Sequence, residues 1–130
     1  MADLIVDDGI YINGEIPSPL GNAPRFTTCT TLYQASSVST GNKNLNYKTG
    51  TTRYKFSEFH TLAFGQYNSA TGGYAWCFMS FPIFRDIGSF YVQQNIASQD
   101  RRFKMNYVSA SVFNVSYVDN GGGIIVLGFN

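Results

Sequence analysis

Apolar residues in this chain recur mainly at every second position, and turn-forming residues separate the runs at intervals of about ten residues. Residues 102–107 show the pattern clearly, because Phe103, Met105 and Tyr107 alternate with polar residues. Successive side chains of a strand point to opposite faces, so this period is typical of half-buried strands. No apolar stripe with the helical period extends over three turns. The pattern predicts an all-β fold, either an antiparallel β-sandwich or a jelly-roll-like barrel, of about eight or nine strands.

Composition narrows the class of protein further. Charged residues make up 13 % of the chain, about half of the usual share of roughly 25 %, whereas aromatic residues make up 16 %. This balance argues against disorder and against a helical bundle. A net charge of +1 creates no field that would attract nucleic acid or an anionic membrane. We expect one domain over residues 1–130, with residues 16–24 as a Pro-rich arm or linker.

Four segments carry local predictions. Residues 74–81 have apolar residues at both odd and even positions, which predicts a strand that is covered on both faces and ended by Pro82. Residues 54–64 predict a half-buried strand or a pair of strands. The parity of the apolar residues switches within residues 109–113, which predicts a bulge or bend. The final strand, residues 124–129, lacks Lys and Pro, so we expect it inside a sheet or under another chain.

The N-terminus and the cysteines bear on the compartment. Acidic residues occupy the N-terminal positions where a secretory signal carries Lys or Arg. No apolar run approaches the roughly 18 residues that span a bilayer. We therefore expect synthesis in a cytoplasm and no membrane insertion. Cys29 and Cys77 show no CxxC spacing, and the favoured interpretation is two buried free thiols, although the sequence leaves a disulfide open.

Catalytic and metal-binding chemistry has little support in these residues. Glu58 and His60 would share one face of a strand and could form a carboxylate–imidazole pair. The simpler interpretation is that His60 is a partly buried ring solvated by Glu58. The acidic residues stand mostly in turns and polar loops rather than as a glycosidase pair, and no zinc or calcium motif is present. We expect no enzyme, no cofactor and no metal.

Two segments, residues 53–56 and 101–104, interleave cations with aromatic rings, as single-strand nucleic-acid binders do. On a strand, however, the two kinds of side chain face opposite ways. The favoured interpretation is that the cations cover an exposed face and the rings fill the core. We expect no nucleic-acid partner.

The chain opens with Ile-Val-Asp-Asp-Gly-Ile-Tyr-Ile-Asn-Gly and ends with Gly-Gly-Gly-Ile-Ile-Val-Leu-Gly-Phe-Asn, with few charges and many Gly, Ser, Thr, Asn and Tyr between. In these features it resembles the small β-rich virion structural proteins of tailed bacteriophages, of the tail-tip, fibre or capsid-decoration type. The resemblance implies a non-enzymatic assembly protein that binds copies of itself and other virion proteins. It also implies synthesis in the host cytoplasm and a place in the virion.

Composition and pattern suggest where contacts lie. Aromatic-rich, charge-poor surfaces are typical of interfaces, and the C-terminal strand could add to a neighbour's sheet edge. The candidate assembly contacts are Ile16, Pro17, Pro19, Leu20, Pro24, Ile125, Leu127 and Phe129. The alternative function is a carbohydrate- or receptor-binding module that recognises a host-surface glycan through polar, Tyr-bearing loops. Its candidate ligand-binding residues are Tyr47, Tyr67, Asn68 and Tyr74.

Overall fold

The structure is a computed structural model that describes residues 26–68, 73–96, 99–119 and 122–130. These residues form ten β-strands, one α-helix and a short 3-10 turn, which confirms the predicted all-β class. The helix is α1 (Phe81–Ile87), and the 3-10 turn is Phe56–Glu58. The strands are β1 (Cys29–Ala35), β2 (Gly41–Asn44), β3 (Tyr47–Thr49), β4 (Thr52–Arg53), β5 (Thr61–Asn68), β6 (Gly73–Ser80), β7 (Ser89–Ile96), β8 (Gln99–Ser109), β9 (Val112–Asp119) and β10 (Gly123–Phe129).

Eight of these strands build two four-stranded antiparallel sheets on either side of one core. Sheet I has the order β1-β10-β5-β6, and sheet II has the order β2-β9-β8-β7. Strands β3 and β4 form a separate two-stranded hairpin. The observed architecture is therefore the sandwich alternative of the prediction, and the described strands do not join into a closed barrel.

The core between the sheets is built largely from phenylalanine. Phe64 of sheet I and Phe103 and Phe113 of sheet II are fully buried. Phe84 of α1 packs against Phe64, with ring centroids 4.9 Å apart, and against Phe56, at 5.2 Å. Tilted and edge-to-face ring pairs of this kind stabilise a core beyond the area they bury. The helix thus closes the core where the chain passes from sheet I to sheet II.

The predicted strand over residues 54–64 is partly wrong. Strand β5 begins at Thr61, and the preceding residues form the 3-10 turn. The turn is held by the carboxylate of Glu58, which accepts a hydrogen bond from the amide of Lys55 at 2.8 Å. It buries Phe56 and Phe59, whose spacing of three residues brings them to one side of such a turn.

Helix α1 is not predicted by the sequence pattern, because two turns are too short to display an apolar stripe. Its end signals are nevertheless present. Ser80 precedes the helix, Pro82 lies in its first turn, and Gly88 ends it with φ of 77°. The amide of Gly88 donates to the carbonyl of Phe84 at 3.2 Å, which satisfies one of the last free carbonyls.

The C-terminal strand β10 lies inside sheet I, between β1 and β5, which confirms one of the two predicted alternatives. Both of its edges are paired, so the expectation that it adds to a neighbour's sheet edge is wrong. The parity switch within residues 109–113 reflects the turn between β8 and β9, with a register shift between Tyr107 and Ser109 beside it. The chain reverses there, and the core-facing parity changes with it.

Candidate interaction faces

The four strands of sheet I contain no Asp, Glu, Lys or Arg. Their inward side chains pack into the core, and the outward side of β6, β5 and β10 is covered by rings and aliphatic groups. We call this surface the aromatic face. Its residues are Tyr67, Tyr74, Trp76, Phe78, Ile125, Leu127 and Phe129. The prediction that residues 74–81 are covered on both faces is wrong for the single chain, because the outward rings of β6 are 40–60 % exposed.

The rings of the aromatic face contact one another in a continuous row. Tyr67 and Tyr74 have centroids 5.1 Å apart, and Tyr74 stacks on Trp76 at 5.1 Å with planes inclined by 24°. Trp76 is followed by Phe78 at 6.0 Å, and Phe78 by Phe129 at 6.4 Å. Near-parallel rings at 5.1 Å lie face to face with an offset. Tyr74 and Trp76 therefore form a stacked pair, and their rings do not stand apart from each other.

The structure brings together two of the four predicted ligand-binding residues. Tyr67 and Tyr74 form one wall of an open cavity of about 210 Å³ at the end of the aromatic face, and Gln34 and Ser36 are among its other lining residues. Tyr47 lies elsewhere, on the β3–β4 hairpin, where it is 56 % exposed and stacks under the guanidinium of Arg53 at 4.0 Å. The fourth residue, Asn68, ends β5, and its side chain lies outside the described part of the structure.

The predicted assembly contacts divide into two groups. Ile125, Leu127 and Phe129 stand at outward, half-buried positions of β10, within the aromatic face. The contacts predicted in the Pro-rich arm all lie outside the described residues. They are Ile16, Pro17, Pro19, Leu20 and Pro24.

The outward side of sheet II has the opposite character, and we call it the polar face. A row of amides crosses three strands there: Asn114 donates to Asn42 Oδ1 at 2.8 Å, and Asn106 donates to Asn114 Oδ1 at 3.2 Å. Asn106 also donates to Ser116 Oγ at 2.9 Å. The row is complemented by two tyrosines and two cations, Tyr91, Tyr117, Arg102 and Lys104. Each strand of sheet II except β7 carries at least one charged residue.

The two cations of the polar face lie among its tyrosine rings. The guanidinium carbon of Arg102 is 5.2 Å from the ring centroid of Tyr91 and 5.3 Å from that of Tyr117. Lys104 Nζ is 5.8 Å from the ring of Tyr91. A hydrogen bond with Tyr117 is the main cause that raises the pKa of Arg102. Register explains the cluster, because Lys104 pairs with Tyr91 on one side and with Tyr117 on the other.

A β-bulge places Tyr117 in that cluster. The β8–β9 register shifts between Lys104 and Met105, so Ser116 is an extra residue on β9. Val115 still faces the core, and both Ser116 and Tyr117 face outward. The expectation that cations and rings of one strand face opposite ways is correct for β8. The expectation does not account for the neighbouring strands β7 and β9, whose tyrosines lie beside the cations of β8.

Comparisons with known proteins give no family for this chain. No family model, no curated protein and no solved structure matches it. The function is therefore inferred from the chemistry of the two faces.

The hypothetical Glu58–His60 pair does not form. The Glu58 carboxylate binds Lys48 Nζ at 2.7 Å, and this bond is the main cause that lowers the pKa of Glu58. The ring of His60 contacts Thr61 Oγ1 at 3.1 Å and packs beside Phe26, with centroids 5.9 Å apart. The two groups have separate partners because Glu58 belongs to the 3-10 turn and His60 follows it.

Both cysteines are free, as predicted, but the prediction that both are buried is wrong, because Cys29 is exposed and Cys77 is only half-buried. Cys29 is exposed at the outward start of edge strand β1, whereas Cys77 is half-buried against the core, where burial raises the pKa of its thiol. Among the described residues, no group of three or more His, Cys, Asp or Glu side chains could hold a metal ion. None of the helical segments in this part of the chain has the length and apolar character that crossing a membrane requires.

Proposed function

We propose that this chain is a non-enzymatic, homo-oligomeric assembly protein, and that its aromatic face packs against the same face of a second copy. The observation that supports this most directly is the complete lack of charged residues in sheet I, combined with a row of exposed rings on its outward side. Large exposed apolar patches on soluble proteins are typical of interaction sites. Aromatic enrichment with depletion of charge is typical of interface cores.

The exposed rings supply more than half of the area that a small stable dimer interface buries. Tyr74, Trp76, Phe78 and the adjoining Phe26 are 43, 40, 60 and 46 % exposed. At roughly 200 Å² for a whole aromatic side chain, these four expose on the order of 350–400 Å² per copy. Two copies would bury about 700–800 Å² from these rings alone, against roughly 1,200 Å² for a small stable interface. The half-buried aliphatic residues of β10 add to this area.

A second copy suits this face better than a sugar or a charged partner. Two identical faces related by a two-fold axis bring no like charges together, because the strands carry none. A sugar needs a free ring face and hydrogen-bonding groups beside it. Tyr74 and Trp76 stack on each other, and the neighbouring outward positions of β10 are aliphatic. The second copy is therefore the occupant to which we commit.

The setting that we propose is the particle of a tailed bacteriophage, in which the chain would be a tail or capsid-decoration component beside other virion proteins. The support for this setting is the resemblance in composition and in the opening and closing sequences. A strongly apolar sheet also suits permanent burial, since obligate interfaces are more hydrophobic than transient ones.

Analytical ultracentrifugation at micromolar concentration tests the assembly. The wild-type chain should sediment as a multiple of 14.4 kDa, and Phe78→Lys should reduce it to the monomer because the substitution places a charge at the interface. Val108→Lys is the matched control, since Val108 is 46 % exposed but lies on sheet II. A monomeric wild type, or equal effects of both substitutions, would contradict the proposal. The particle setting predicts closed symmetry in negative-stain images, and open-ended fibres would contradict it.

A further inference from the structure

We propose that the polar face of sheet II binds a saccharide that carries a carboxylate. This inference does not depend on the proposed assembly, because it concerns the other sheet. The sequence-based alternative expected glycan recognition near Tyr47, Tyr67, Asn68 and Tyr74. The geometry points instead to the cluster around Arg102.

Arg102 supplies the group that would bind the carboxylate. Its guanidinium lies over the edge-to-face ring pair of Tyr91 and Tyr117, at 5.2 and 5.3 Å from their centroids. A guanidinium has five N–H donors in a rigid plane. The Nε of Arg102 is buried, so the two terminal nitrogens are the ones that would bind a ligand. A carboxylate can be bound by two parallel N–H donors of such a group. The two rings restrict the side chain, so less rotamer entropy is lost on binding.

Lys104 and the tyrosines complete the binding surface for a sugar ring. Lys104 stands two residues from Arg102 on the same side of β8, and its Nζ lies 5.8 Å from the ring of Tyr91. Tyr91 and Tyr117 are 46 and 39 % exposed, and their rings meet edge to face at 6.2 Å. Tyrosine offers an apolar ring for contact with the C–H side of a sugar and a hydroxyl for its polar groups.

The row of amides beside this cluster would bind sugar hydroxyls. Asn106 and Lys104 are two residues apart on one strand, which corresponds to about 7 Å. In this row, Asn114 uses both its Nδ2 and its Oδ1 atom, Asn42 uses its Oδ1, and Asn106 uses its Nδ2. These bonds leave the Nδ2 donors of Asn42 and the Oδ1 acceptor of Asn106 outside the row. Donors and acceptors held in place by such a network are suited to a ligand with many hydroxyl groups.

The charge of the face selects this ligand over a nucleic acid. At the outward positions of sheet II that the structure describes, Arg102 and Lys104 are the cations, and Asp119 pairs with Arg102 in register. Asp100 also faces outward on β8, where it accepts a hydrogen bond from Asn95 Nδ2 at 2.9 Å. The face therefore carries no net charge, and its two cations are concentrated at the tyrosines, which suits a ligand with isolated carboxylates. Nucleic-acid affinity comes from neutralising several phosphates at once, and this face offers too few cations.

Isothermal titration calorimetry with a short oligogalacturonate tests the proposal, and the methyl ester of the same oligomer is the neutral control. We expect the acid form to bind about tenfold or more tightly than the ester, which is the effect of one charge-assisted contact. Arg102→Gln should lose that difference. Arg85→Gln is the matched control, since Arg85 also lies over a ring, that of Phe81 at 5.5 Å, but belongs to α1.

Further variants distinguish a loss of saccharide binding from a loss of folding. Lys104→Gln should weaken binding of the acid form, and Tyr91→Ala should weaken binding of both the acid and the ester, with the sedimenting mass unchanged. No binding of the acid form, equal affinity for acid and ester, or undiminished binding by both the Arg102→Gln and Lys104→Gln variants would overturn the proposal. Tighter binding of an oligo-dT strand than of the saccharide would overturn the choice of ligand. Loss of self-association in Phe78→Lys with saccharide binding retained would show that the two faces act separately.

Discussion

Gly65 of β5 lies directly opposite Trp76 of β6, and the indole occupies the space beside the glycine. A Cβ atom on Gly65 would stand 2.7 Å from Cζ3 of Trp76 and 2.9 Å from Cγ2 of Ile125. Real Cβ atoms essentially never approach so closely. An aromatic ring that covers a glycine on the neighbouring strand is a known device for stabilising such a position in a sheet. The glycine thereby lets the row of rings pack onto sheet I.

Gly65→Ala should therefore displace the indole of Trp76 toward solvent. Trp76 is already 40 % exposed, so the ring can move, and we expect the free energy of unfolding to fall by only about 1 kcal/mol. Tryptophan emission should shift to longer wavelength, since Trp76 is the only tryptophan. A double-mutant cycle with Trp76→Ala should show coupling between the two sites. Unchanged emission together with simple additivity would contradict the packing described.

Gly128→Ala offers a matched comparison in the buried part of sheet I. A Cβ atom there would overlap the ring of Phe59, which is 7 % exposed. This ring has no route to solvent, so we expect a cost of about 2–3 kcal/mol, larger than that of Gly65→Ala. Urea unfolding of both variants measures the difference. A smaller cost at Gly128 than at Gly65 would show that the Phe59 ring moves more freely than its burial implies.

Replacing Gln66 should stabilise the protein. This side chain is 1 % exposed and points into the core, and neither of its amide atoms has a hydrogen-bond partner among the described residues. A buried unpaired amide costs about 1–3 kcal/mol. Gln66→Met keeps the shape and removes the polar atoms, while the backbone carbonyl still accepts from Gln94 Nε2. We expect a rise of about 1 kcal/mol in the free energy of unfolding, and a fall would reveal a partner for the amide.

The aromatic face was only partly predictable from the sequence. The sequence predicts Tyr67 and Tyr74 as ligand-binding residues and the outward residues of β10 as assembly contacts, but it does not single out Trp76 or Phe78. They stand in a run that is apolar at both parities, and such a run does not reveal which face another layer covers. The signal that could have identified them is the absence of charge from four whole strands. It becomes visible only when sheet order groups those strands.

The polar face was beyond prediction for a different reason. Alternation along β8 correctly separates Phe103 from Arg102 and Lys104, because it is a property of a single strand. The tyrosines that meet those cations come from β7 and β9, and the register that aligns them includes a bulge at Ser116. Cross-strand register depends on turns and bulges that local patterns specify poorly.

The ion pair between Lys48 and Glu58 predicts how stability depends on pH. The hydrogen bond from Lys48 lowers the pKa of the Glu58 carboxyl and raises the pKa of the lysine. The contribution of Glu58 is therefore present above the unfolded pKa of about 4.3 and is lost as the pH falls through the lower folded value. The contribution of Lys48 is present below its unfolded pKa of about 10.4 and is lost as the pH rises through the raised folded value.

Urea midpoints of the wild type and of Glu58→Gln, compared between about pH 3 and pH 7, measure this contribution. The difference between the two proteins should be constant near neutrality and should shrink in acid, because the wild-type carboxyl is then protonated. The effect should be small, since the pair is exposed and screened by salt. Lys48→Met is the control, because it removes the main cause of the pKa shift. Its urea midpoint should therefore fall less in acid than that of the wild type. If the urea midpoints of the wild type and Glu58→Gln fell equally as the pH was lowered, the pair would contribute nothing to folding.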